Sequence, residues 1–160
     1  MKKCIVTGGA GFIGSNLTEK LVSLGHKVTV IDNLSTGRKS NLKKIQNRIK
    51  FVKADISNLK NLSDNFFKNV DWVFHIAGIA DIVPSIETPI KYYNSNVTGT
   101  LNILEKSRKH KVKKLIYAAS ASCYGIPSNF PTNENSKIKP EYPYALSKYL
   151  GEQLVMHWAK

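Results

Sequence analysis

Cys4-Ile5-Val6-Thr7-Gly8-Gly9-Ala10-Gly11-Phe12-Ile13-Gly14 is a short apolar run that breaks into spaced glycines and then resumes as a helical pattern. Ile5 and Val6 read as a buried strand ending in a tight turn. At Gly8 such a turn needs backbone angles that a side chain would forbid. Gly11 allows the backbone to approach a phosphate, and Gly14 allows the new helix to pack against the strand. The helix start then directs free N–H groups and its positive dipole end at the ligand. Two glycines alone would mean only a turn. Here strand, loop and helix occur together, and Asp32 follows Gly14 by eighteen residues at the end of a second apolar run, which reads as a dinucleotide cradle.

Outward from the cradle, Phe12, Ile13, Leu17, Leu21, Val22 and Leu24 recur at helical spacing, Gly25 closes the helix, and Lys27-Val28-Thr29-Val30-Ile31 is a second strand. The Asp32 carboxylate at its end can accept hydrogen bonds from an adenosine ribose and would repel a 2′-phosphate, which favours NAD over NADP. Asp32 could also be an ordinary strand-end turn residue, although its setting in Asp32-Asn33-Leu34-Ser35-Thr36-Gly37 argues for the ribose. Arg38 and Lys39 are the nearby residues that leave NADP open.

Lys50-Phe51-Val52-Lys53 is a third strand delivering Asp55-Ile56, and a short helix carrying Leu59, Leu62, Phe66 and Phe67 returns to Asp71-Trp72-Val73-Phe74-His75-Ile76-Ala77-Gly78. Asp55 could bond the adenine edge or cap the helix that follows. Ala77 and Gly78 would let a cofactor pass over the end of the fourth strand. His75 has the chemistry of a base, but a histidine inside an apolar strand is more often packed and hydrogen-bonded. A long helical pattern spans Tyr92 to Leu104, a fifth strand runs Lys114 to Ala119 into Ser120-Ala121-Ser122-Cys123-Tyr124-Gly125, and a last helix starts near Tyr142-Pro143-Tyr144. Five strands alternating with helices predict an α/β fold with a doubly wound parallel sheet, in the order 3-2-1-4-5.

The 160 residues and an apolar fraction of 42% fit one domain over residues 1–160 with a sizeable core. No apolar run is long enough to span a membrane, and glycines interrupt the stretch after Lys2-Lys3 that superficially resembles a signal peptide, so a cytoplasmic location is expected. Cys4 and Cys123 read as reduced, incidental residues, and no metal site is expected. The net charge of +13 raises the question of nucleic acid. Its basic clusters fall on helix faces and loops without an aromatic platform or a known motif, so they read as solvated surface and nucleic-acid binding is not expected.

Tyr144-Ala145-Leu146-Ser147-Lys148 places a phenol and an ammonium on one helix face. A cation beside the phenol favours the phenolate and lets it act as a base near neutral pH. On its own this spacing is common surface decoration. With a dinucleotide fold and Ser120 at the end of the fifth strand it marks Tyr144, Lys148 and Ser120 as a catalytic set.

On these motifs, together with Asn96-Val97-Thr98-Gly99-Thr100, the chain resembles the extended short-chain dehydrogenases/reductases of the NAD-dependent epimerase/dehydratase family. Within it the likeness is to enzymes that epimerise UDP-glucose or UDP-N-acetylglucosamine at C4. The resemblance implies NAD held at Gly8, Gly11, Phe12, Ile13 and Gly14, ribose contacts from Asp32 and Asn33, adenine contacts from Asp55 and Ile56, and Ile76, Ala77 and Gly78 beneath the middle of the cofactor, with Ser35, Thr36 and Gly37 also among the cofactor-binding residues. Ser95 stands where some members use Asn or Thr. It also implies that Tyr144 takes a proton from a sugar hydroxyl as hydride passes to NAD, that Lys148 holds the nicotinamide ribose, and that Ser120 bonds the reacting oxygen. The keto-sugar then turns over and takes the hydride back on its other face. Dehydratases and decarboxylases of the family resemble one another in an acidic residue just after the Ser/Thr of the fifth strand. Ala121 and Ser122 stand here instead, which favours epimerisation.

The resemblance ends at Lys160, inside the helix of Tyr144, whereas family members continue for about as long again. The expectation is a chain that retains NAD and is weakly active or inactive on UDP-sugars, since a remote nucleotide helps to position the reacting sugar. The alternative is a non-catalytic nucleotide-binding module that pairs with another chain. A homodimer or larger is expected, through the helices around Asn96 and Tyr144 with Leu101, Leu104, Leu150, Leu154 and Trp158; these residues could equally pack only on the sheet.

Overall fold

The computed structural model describes residues 1–127 and 129–160. Five strands, β1 (Lys3–Thr7), β2 (Lys27–Asp32), β3 (Ile49–Lys53), β4 (Trp72–His75) and β5 (Lys114–Tyr117), form one all-parallel sheet in the order β3-β2-β1-β4-β5. The strand order reverses between β1 and β4, and in open parallel sheets that switch point is where ligands sit, at the carboxyl ends of the strands. Register pairs Val52, Ile31, Thr7, His75 and Tyr117 in one row across that end.

Alternation along the strands sends side chains to two cores, as a sheet covered on both faces requires. Cys4, Val6, Val28 and Val30 pack with Leu21 and Val22 of α1 (Phe12–Ser23) and with Leu42 and Ile45 of a 3₁₀ stretch, Lys39–Arg48. Ile5, Ile31 and Val73 pack on the other face with Phe67 of α2 (Asp64–Phe67) and Ile103 of α5 (Gly99–Lys109). The chain between β4 and α5 forms α3 (Val83–Glu87), α4 (Pro89–Tyr93) and a π-helical turn, Asn94–Thr98. The last helix, α6, is Pro143–Trp158; Tyr142 before it is extended, as a residue preceding proline tends to be, and Pro143 takes a first-turn place where its missing N–H costs nothing.

Some local expectations shift. The short helix expected around Leu59 to Phe67 is two pieces, a 3₁₀ turn at Leu59–Asn61 and α2, because the Asn58 and Ser63 side chains each accept a backbone N–H and start a separate turn. The fourth strand ends at His75, and Ile76 to Gly78 lie beyond the ladder. Ser120 likewise lies past β5, where it caps a 3₁₀ turn, Ala121–Tyr124. Phe12 and Ile13 are 83% and 63% exposed, so they contribute little to the core and stand at the lip of the cradle.

Candidate active site

A cleft of about 340 Å³ opens at the switch point. It gathers Gly8, Gly11, Phe12, Ile13 and Gly14 from the β1–α1 turn, Asp32, Asn33, Ser35, Thr36 and Gly37 from the end of β2, Asp55 and Ile56 after β3, Ile76, Ala77 and Gly78 after β4, and Ser95 from the π turn. Ile31, Ala54, Ile79 and Ala80 also line it without being expected from the sequence; the first three adjoin expected residues, Asp32, Asp55 and Gly78, and Ala80 follows Ile79.

The floor of the cleft depends on missing side chains. Gly8 has φ +68°, and a Cβ there would meet the Ala77 backbone at 2.7 Å. A Cβ on Gly14 would collide with the Gly8 carbonyl, so this glycine sets how closely α1 approaches β1. Gly11 precedes α1 without a side-chain cap, leaving first-turn N–H groups facing the cleft as a positive terminus suited to a pyrophosphate. At the other end, Asp32 is buried and its carboxylate is fixed by the N–H groups of Ala10 (2.9 Å) and Leu34 (2.7 Å). Asn33 donates to Asp55 at 3.0 Å, and Asp55 also accepts from the Ser57 N–H and hydroxyl. Burial works to raise the Asp55 pKa, but the bonds from Ser57 and Asn33 outweigh it and hold the carboxyl below the usual range.

Ser120, Tyr144 and Lys148 do not line this cleft, yet they converge near its β4 end. The Ser120 and Tyr144 hydroxyl oxygens are 3.4 Å apart, and Ser120 Oγ is 2.7 Å from Ser122 Oγ. Lys148 is buried and donates to the Ala118 carbonyl at 2.6 Å; its ammonium lies 3.8 Å from where a Cβ on Gly78 would stand. Burial lowers its pKa to about 8, against the partly opposing charge of Glu152.

His75 is fully buried, and its hydrogen bonds decide between the two readings of it. Thr100 Oγ1 donates to the Asn96 carbonyl at 2.6 Å, so it accepts from His75 Nε2–H at 2.9 Å. His75 Nδ1 is then an acceptor for the Thr7 hydroxyl at 2.7 Å, and Thr7 Oγ1 accepts the Ala77 N–H at 3.2 Å. Both ring nitrogens are occupied, and desolvation, reinforced by the Lys148 charge, pushes the imidazole pKa down to about 3. His75 is a neutral strut joining β1 and β4 to the helix behind them.

In the sequence Asn96 marks a family-like motif and one of the helices expected to pair, with no role of its own at the site. It is buried; its side chain bonds both the N–H and the carbonyl of Ile79, and its Nδ2 also donates to Ser147 Oγ at 3.0 Å. The available signal was a polar residue on the inward side of an otherwise apolar helical pattern.

A parallel sheet with a glycine cradle at its switch point, an acidic residue closing the far end of the cleft and a Ser/Tyr/Lys group beside the near end makes this a Rossmann-type dinucleotide-binding protein. Residues 4–160 match the model of the NAD dependent epimerase/dehydratase family, and the chain belongs to that family. It is 43% identical over 153 residues to a putative UDP-glucose 4-epimerase of Methanocaldococcus jannaschii, covering 94% of this chain and 49% of that protein. It superposes on the UDP-glucose 4-epimerase of Thermotoga maritima, solved with UDP-glucose, at TM-score 0.91 and 35% identity, covering 98% of this chain and 51% of the other. The Thermus thermophilus UDP-glucose 4-epimerase, solved with NAD, superposes at TM-score 0.89 and 33% identity, covering 98% and 50%. The chain spans between 37% and 49% of the length of three curated relatives that it matches, the Methanocaldococcus protein among them. Among the described residues, no helix is long and apolar enough to cross a membrane.

Proposed function

We propose that residues 1–160 are the NAD-binding domain of a UDP-sugar 4-epimerase. The observation that carries the reading is the approach of Ser120 to Tyr144 at 3.4 Å, with the Lys148 ammonium beside Gly78 at the end of the glycine cradle. The cradle fits NAD: a Cβ at Gly8 or Gly14 would collide with its floor, and Asp32 puts a negative charge where the 2′-phosphate of NADP would come. NAD, when bound, supplies the site that accepts and returns hydride. Tyr144 takes and returns the proton of the sugar hydroxyl, Ser120 hydrogen-bonds that oxygen, and Lys148 binds the nicotinamide ribose.

The relatives are about twice as long as this chain, so turnover by residues 1–160 alone is expected to be weak or absent. Calorimetry with NAD, NADP and UDP-sugars tests the proposal. NAD binding tighter than NADP is the expected result, and absence of NAD binding would overturn it. A Tyr144→Phe chain that binds NAD as before but abolishes residual UDP-hexose interconversion would support the catalytic roles. Where neither chain interconverts UDP-hexoses, turnover restored by adding the missing half of a relative supports the catalytic roles, and NAD binding that no added half converts into turnover favours a non-catalytic module.

We also propose self-association through α6. Val97, Leu150, Leu154 and Met156 line an open groove between the π turn and α6, and Met156 is 61% exposed. A second copy of this chain would cover that surface; a clean monomer by light scattering at working concentration would rule this out. The two unpaired cysteines, both buried, suit the reducing cytoplasm.

A further inference from the structure

Tyr117 ends β5 in the same cross-sheet row as Thr7 and His75, and it touches Lys148 in two places. Its ring lies under the Lys148 ammonium, 4.2 Å from Nζ to the ring centroid. Its hydroxyl donates to the Lys148 main-chain carbonyl at 3.2 Å. That second contact depends on Gly151, one turn further along α6: a Cβ there would collide with the Tyr117 hydroxyl. The second direct support of the ammonium is the carbonyl of Ala118, the residue after Tyr117. No carboxylate lies within 4.0 Å of Lys148 among the described residues.

We propose that Tyr117 is a positioning residue for Lys148, with its ring face stabilising the ammonium and its hydroxyl fixing the turn of α6 from which the side chain departs. An aromatic face attracts a cation most strongly where water is excluded, and Lys148 is buried. Tyr117 itself is held neutral, burial being the main cause of its raised pKa, so its hydroxyl stays a donor to α6. A residue that merely filled space would not need a glycine opposite its hydroxyl. The inference rests on the reading of Lys148 as the ribose-binding lysine, but its test does not.

The charged and titratable groups around Lys148 are Glu152 on its own helix, which favours the ammonium, Tyr144 one turn back, His75 from β4, which stays neutral, and Tyr117. Lysine carrying ¹³C at Cε, followed by NMR across pH, reports the Lys148 titration without any substrate. Tyr117→Phe keeps the ring and loses only the hydroxyl bond to α6, and it is expected to lower the Lys148 midpoint by clearly less than the loss of the ring does. Tyr117→Leu removes the ring and is expected to lower the midpoint by about half a unit or more, roughly a three-fold change in the ionisation constant. A Tyr117→Leu midpoint equal to the wild type, or a Tyr117→Phe shift as large as that of Tyr117→Leu, would overturn the proposal. If Tyr117→Leu does not fold, Gly151→Ala, which displaces the hydroxyl and tilts the ring, must move the midpoint in the same direction, and an unmoved midpoint overturns it. A shift in Tyr117→Leu alongside unchanged NAD affinity in Lys148→Met upholds the seat and counts against the catalytic reading of Lys148 instead.

Discussion

The Asn96 side chain and the Ile79 backbone form a closed pair: Oδ1 accepts the Ile79 N–H at 2.8 Å and Nδ2 donates to the Ile79 carbonyl at 3.0 Å. One buried amide thereby stands in for a missing strand partner just where the chain leaves β4 and lines the cleft. Asn96→Ala leaves both backbone groups and Ser147 short of a partner and is expected to cost about 2–4 kcal/mol by urea denaturation. Asn96→Asp should be at least as damaging, because its carboxylate would face the Ile79 carbonyl. An unchanged unfolding midpoint in Asn96→Ala would show that Ile79 finds other partners.

Gly11 and Gly14 should separate stability from cofactor binding. A Cβ on Gly14 meets the backbone of the cradle itself, whereas a Cβ on Gly11 meets only the Gly8 carbonyl, at 3.3 Å. Gly14→Ala is expected to lower the melting temperature clearly. Gly11→Ala is expected to melt near the wild type yet bind NAD at least about ten-fold more weakly, since its methyl would stand where the phosphates approach. Calorimetry alongside thermal unfolding checks both. Equal NAD affinity in Gly11→Ala would remove the phosphates from this turn.

The strand order and the floor of the cleft were legible because they follow from local signals: apolar runs, the spaced glycines and acidic residues at strand ends. Sixteen expected cofactor residues, from Gly8 to Ser95, share one cleft. The supports of the site were not legible, because each joins segments far apart in sequence. Tyr117 reaches Lys148 across 31 residues, and Asn96 reaches Ser147 across 51. Helical periodicity also passes smoothly through Asn94–Thr98, so the π turn that widens the helix beside Ser95 left no trace in the pattern.

His75 gives a pH signature. Its folded-state pKa, about 3, lies below the ordinary 6.5. Between those values the unfolded chain binds the proton and the folded chain does not, so stability is complete above about pH 6.5 and falls as the solution is acidified towards pH 3. His75→Gln is expected to be less stable than wild type at neutral pH by about 1–3 kcal/mol, through imperfect bonding to Thr7 and Thr100. It should also lose part of the acid slope in this window. Urea titrations at several pH values measure it, and identical slopes would mean that His75 is not the group that resists protonation.

Lys148→Met is expected to strengthen the fold while removing function. The folded-state pKa of Lys148, about 8, lies below the ordinary 10.5, because burial disfavours the ammonium. Between those values the unfolded chain again binds the extra proton, so stability of the wild type rises with pH through this window, and the full cost of the buried charge is present below about pH 8. Lys148→Met removes that cost but leaves the Ala118 carbonyl without its donor. The net expectation is a gain of about 1–2 kcal/mol near pH 7 that shrinks as the pH rises from about 8 towards 10.5. NAD affinity should fall in the same variant if, as proposed, Lys148 binds the nicotinamide ribose. A Lys148→Met chain that is no more stable at pH 7 than at pH 10, relative to wild type, would mean that the buried ammonium is already fully compensated by Tyr117 and Ala118.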